Sequence, residues 1–127
     1  MTAAEGFSVL GVVTVAGTIL VGLIWGITAW YQKGAKARRN TWVGFRLRPL
    51  FESDEAWRVG HQVAFKQFCL NALSIWIPSV VLLLIIKSAP VPIGIILIVL
   101  FVAQFIWLLV AARMAAHAAA GVGHPES

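Results

Sequence analysis

The chain has 127 residues, of which 60% are apolar and 12% charged, about half the charged share of a soluble domain. One water-soluble domain of that length has no interior large enough to hide so much apolar surface, so lipid is the solvent for most of the chain. The formal charge is +5, and eight of the ten Lys and Arg fall between Lys33 and Lys66; between two apolar segments such a block reflects topology and attraction to anionic head groups, not nucleic acid.

The first apolar segment runs from about Gly6 to Trp30 without a charge, longer than the roughly 20 residues a helix needs to cross hydrocarbon. No Lys or Arg precedes it, and the basic cluster follows it, so it does not read as a secretory signal. Trp25, Trp30 and Tyr31 near the basic end suit the head-group layer. Thr14, Thr18, Gly22 and Gly26 recur every four residues and form a small-residue face. That face is expected to pack against the chain's own helices, with dimerisation through Gly22 and Gly26 as the other reading.

A basic loop follows, over 33–52. Lys33, Lys36, Arg38 and Arg39 are candidate contacts for anionic lipid. Trp42 and Phe45 are candidate interface anchors. Arg48-Pro49 biases the backbone to extended forms, and Pro49 keeps a helix from continuing.

Ser53 is a good N-cap, and Asp54 and Glu55 meet the positive end of the helix that follows. Over 53–67 that helix is two-faced. Asp54, Arg58, Gln62 and Lys66 form a polar stripe, with Trp57, His61, Ala64, Phe65 and Phe68 toward the other side. The pattern predicts a helix in, or reaching through, the head-group layer, with Trp57 as its membrane anchor. Arg46 and Arg48 are expected to pair with nearby carboxylates or bind a lipid head group, and His61 to be a hydrogen-bonded structural residue or a pH switch.

From Phe68 to about Ile86 the chain is apolar, with Asn71, Ser74 and Ser79 as exceptions, and reads as the second crossing. Pro78 is expected to kink it. Pro90 and Pro92 are expected to hold a tight hairpin turn over 87–92. The third crossing runs from Ile93 to about Ala112, broken only by Gln104, and an alanine-rich tail over 113–127 follows. Asn71 and Gln104 suit interhelical hydrogen bonds.

The loop between crossings one and two carries eight Lys and Arg, against one (Lys87) between crossings two and three and one (Arg113) after the third. The positive-inside rule then puts the N-terminus outside and the C-terminus in the cytoplasm. The fold class is all-α: an integral membrane protein of three crossings, with a cytoplasmic-side amphipathic extension on the second.

Asn40-x3-Gly44-Phe45-Arg46, a spacer, then Ser53-x-Glu55-x-Trp57-x3-His61 resembles the signature of SdpI-like membrane proteins, small bacterial proteins of the plasma membrane. Leu47 stands where that family often has threonine. The resemblance implies three membrane helices with the motif between the first two. It implies immunity against a secreted killing peptide, or retention of a transcriptional regulator at the membrane, as for the family's best-known member. It makes Asn40, Gly44, Arg46, Ser53, Glu55, Trp57 and His61 the candidate site.

Other functional classes find less support. No Ser-His-Asp order, phosphate loop or metal box is visible, so neither enzyme activity, metal nor cofactor is expected. Single Cys69 reads as a small hydrophobe. The crossings carry no ionisable side chain in their cores, which argues against an ion pathway. Two readings remain: a membrane protein that binds a peptide, lipid or regulator, and an accessory subunit packed against a larger membrane complex.

Overall fold

The computed structural model of the chain describes residues 1–40 and 43–122. They form four α-helices: α1 (Ala3–Gln32), α2 (Asp54–Asn71), α3 (Ile77–Leu84) and α4 (Pro90–Val122). A π-helical turn over Ala72–Trp76 joins α2 to α3, making a single 31-residue helix from Asp54 to Leu84. Short 3-10 turns cover Arg48–Phe51 and Ile86–Ser88. No strand occurs among the described residues. Three helices, Ala3–Gln32, Asp54–Leu84 and Pro90–Val122, are long and apolar enough to cross a membrane.

Local chemistry sets the helix ends. The amide of Glu5 donates to Thr2 Oγ1 at 3.1 Å, and the amide of Thr2 donates to Glu5 Oε2 at 3.3 Å. This reciprocal capping box starts α1 ahead of the uncharged run. Pro90 and Pro92 are not in the hairpin turn, as expected, but in the first turn of α4. There the N–H that proline lacks would have had no intrahelical partner, and its fixed φ suits the helix. At Pro78 the chain widens instead of simply kinking. The amide of Ile77 bonds the carbonyl of Ala72, a five-residue step. Pro78 cannot donate to the carbonyl of Ser74 and would crowd it, and a wider turn accommodates that ring.

The chain divides into two compact units. In the first, Met1–Gly22 with Leu70–Trp107, Val15, Ile86, Ile93 and Leu97 form the buried apolar cluster. Gly22 lies flat against the indole of Trp76, where a Cβ would collide with the ring. The Trp76 indole N–H donates to Gln104 Oε1 at 3.2 Å, and Gln104 Nε2 donates to the carbonyl of Thr18 at 2.8 Å. The small-residue face thus receives a partner from the chain's own second crossing. Asn71 and Ser79 are also buried here, but among the described residues neither side chain has a hydrogen-bond partner.

In the second unit, Leu23–Cys69 with Leu108–Ser127, one buried cluster holds Leu50, Ala56, Trp57 and Ala119, and another Ala29, Ala64 and Ala115. The segment expected as a tail is therefore core. Ala111, Ala115 and Ala119 are spaced by four, so their methyls share one helix face that lets other backbone approach closely. The helix runs on through Gly121 to Val122, and Gly123 and Pro125 lie outside the described residues.

Candidate functional site

The motif residues gather in the second unit, on the first turns of α2 and the loop that leads into it. Ser53 caps α2: its Oγ accepts the amide of Ala56 at 2.9 Å, filling one of the orphan donors of the first turn. That fixes the phase of the helix. Trp57 and His61, one turn apart, then point the same way, and both are fully buried.

His61 is held from both sides. The amide of Phe45 donates to its Nε2 at 3.0 Å, and its Nδ1 lies 2.6 Å from the carbonyl of Trp57. An amide N–H can only donate, so Nε2 is the acceptor and the proton sits on Nδ1, donated to Trp57. The ring is neutral in this arrangement. Phe45 stacks parallel to it, with centroids 5.0 Å apart, and Trp57 tilts against it at 4.5 Å.

Gly44 makes the approach possible. Its φ of +131° is a conformation side chains rarely adopt, and a Cβ there would collide with the Trp57 ring. The Trp57 indole N–H donates to Gln32 Oε1 at 3.0 Å. Gln32 Oε1 also accepts Asn40 Nδ2 at 3.4 Å, while Asn40 Oδ1 accepts the amide of Val43 at 2.8 Å. Asn40 therefore shapes the turn that delivers Gly44 to the tryptophan.

The polar stripe of α2 finds partners within the chain. Asp54 Oδ1 pairs with Arg39 Nε at 3.1 Å and accepts the Arg39 amide at 3.2 Å. Arg58 Nη1 donates to the carbonyl of Ala37 at 2.9 Å, and Gln62 Nε2 to that of Lys33 at 3.2 Å. Successive turns of α2 thus hold residues 39, 37 and 33 in reverse order, and the basic loop returns along the helix as a strap. Lys66, the last of the stripe, has no such contact among the described residues.

Several expectations need correcting. Trp57 is not a membrane anchor, because protein covers it completely. Trp25 is engaged within the chain: its indole N–H donates to the carbonyl of Ala64 at 3.1 Å and its ring packs on Phe45 at 4.2 Å. Phe45 is likewise packed inward, and Trp42 lies outside the described residues. Arg39, expected at lipid, is engaged by Asp54 and by the carbonyl of Phe51 at 2.9 Å.

Arg46 and Glu55 are exposed beside the buried cluster, as are Arg48 and Glu52. Gln32, Trp25 and Leu50 belong to the assembly but carry no motif signal. Only the reach of α1 to residue 32 brings the first of these to Trp57. Among the described residues no group of three His, Cys, Asp or Glu is placed to hold a metal.

The site falls within a recognised stretch. The model of the SdpI/YfhL protein family matches residues 36–114. No curated protein and no solved structure matches the chain.

Proposed function

We propose a binding function for this chain, which belongs to the SdpI/YfhL protein family. It is a multi-pass, all-helical membrane protein of an immunity-type family. On our reading it protects the cell from a membrane-active killing peptide, or holds a regulator at the membrane, without chemical turnover. The observation that carries this is the division of labour in the motif. Gly44, Trp57 and His61 are consumed internally as a clasp, and beside it Arg46, Arg48 and Glu52 of the loop and Glu55 of α2 remain exposed.

A loop clasped to α2, with exposed charge of both signs beside it, suits recognition. The competing reading, an accessory subunit, drew on the small-residue face of α1. Gly22 of that face is already filled by Trp76, which favours the first reading. The charge count further supports a cytoplasmic loop in a bacterial plasma membrane, N-terminus out. Thiol labelling of Arg38→Cys from the inside alone is the result expected of that orientation.

The functional test is protection. A sensitive host expressing the chain is challenged with secreted membrane-active peptides. Arg46→Ala and Glu55→Gln should reduce survival at unchanged membrane levels. No protection, with stoichiometric recovery of a larger assembly in mild detergent, would establish the subunit reading instead.

A further inference from the structure

We infer that the second unit carries a dedicated site for an anionic phospholipid, at a groove beside the end of α1. The groove, of about 210 Å³, is lined by Gly26, Ile27, Trp30, Phe65 and Phe68. Gly26 is its narrow point, with the Phe68 ring packed where a Cβ would stand. All of its walls are apolar or aromatic, as an acyl chain requires.

Charge marks one end. The ammonium of Lys33 stands 5.2 Å from the centroid of the Phe65 ring, so one side chain is both groove wall and platform for the cation. Gln62 holds Lys33 through its backbone carbonyl, which leaves the side chain free to serve the groove. Lys66, next to Phe65, is exposed. Among the described residues neither ammonium has a carboxylate within ion-pair distance. Two neighbouring arginines differ: Arg39 of the strap is engaged by Asp54, and Arg58 of α2 by the carbonyl of Ala37.

Lys33 and Gly26 are seven residues apart, about 10 Å along helical geometry. That is a phosphate at the surface and the first part of a chain running inward from it. The exposed rings of Trp30 and Tyr31 flank the same level. A zwitterionic lipid would find the groove but gain less from the two lysines, because its own cation offsets its phosphate. The occupant is therefore a lipid with net negative charge, such as phosphatidylglycerol. This site does not depend on the immunity reading.

The test places the full chain in phosphatidylcholine nanodiscs with a minor fraction of phosphatidylglycerol, and brominates the acyl chains of one lipid at a time. Bromine quenches nearby indoles, and the difference between the protein and Trp30→Phe isolates Trp30. Per brominated chain, phosphatidylglycerol should quench Trp30 more by about fivefold for each lysine engaged. Lys33→Gln with Lys66→Gln should remove that preference while leaving the helical circular dichroism unchanged. Equal quenching by the two lipids, or a preference that survives the double exchange, would overturn the site.

Discussion

The amide of Phe45 donates to Nε2 of His61 at 3.0 Å, and the two rings stack 3° from parallel. One residue of the loop is thus fixed to one residue of α2 by its backbone and its side chain together. The arrangement accepts only a neutral imidazole. A second proton would put an N–H on Nε2 facing the N–H of Phe45, in a site with no water-exposed edge to the ring.

This makes clasp stability pH-dependent, and the sign is fixed. Below about pH 6.5 an imidazole in the unfolded chain binds a proton. The folded site excludes it, so the unfolded state binds more protons and stability is lost as pH falls through that range. Melting of the purified protein in mild detergent should drop on acidification. His61→Gln should melt lower at neutral pH but with a flatter pH profile. An equally steep profile in that variant would show that another group is responsible. Nitrogen chemical shifts of the ring should report the proton on Nδ1.

Gly44 is predicted to tolerate no side chain. Gly44→Ala forces a residue with a Cβ to hold φ near +131° and drives that Cβ into Trp57. Strain of this kind costs on the order of 1–3 kcal/mol, before any repacking of the ring. The variant should melt well below the native protein. Combining it with Trp57→Leu should cost less than the sum of the two, since the collision is then removed.

Trp57 is predicted to act as core, and its partner Gln32 with it. Trp57→Ala should destabilise by about 3–5 kcal/mol, the cost of emptying a large buried ring site. Trp57→Phe keeps most of the ring and loses the bond to Gln32. Gln32→Leu leaves the buried indole N–H unmatched, at about 1–3 kcal/mol. In a double-mutant cycle the second loss should largely vanish once Trp57 is Phe. Full additivity would show that the 3.0 Å contact does not carry energy.

Some of this was legible from residue spacing and some was not. The oily runs announce three helices, because no other backbone form satisfies itself in lipid. Ser53 is recognisable as a cap because capping is local, three residues long. The fate of Trp57 was not legible. A tryptophan on an amphipathic helix reads as an interface anchor until one knows that the strap and the alanine face of α4 cover it. Likewise the stripe Asp54, Arg58 and Gln62 has the right period for a solvated face. Its real partners, Arg39, Ala37 and Lys33, are backbone and side-chain groups of a loop with no periodicity of its own. Ala115 and Ala119 looked like a tail because alanine carries little hydropathy, although its small size is what the packing uses.

Two buried amides in the first unit are predicted to respond to the same change with opposite sign. Gln104 bridges two groups, accepting the Trp76 indole N–H and donating to the carbonyl of Thr18. Gln104→Leu should destabilise by about 0.6–2 kcal/mol, the range for hydrogen bonds between membrane helices. Asn71 is equally buried, yet neither polar atom of its carboxamide meets a partner among the described residues. It carries the desolvation cost of a polar group without the compensating bond. Asn71→Leu should therefore leave melting unchanged or raise it. The comparison is made on the two single variants in one detergent. A large loss at Asn71 would mean that its carboxamide makes a stabilising contact in the folded chain, and would overturn the prediction.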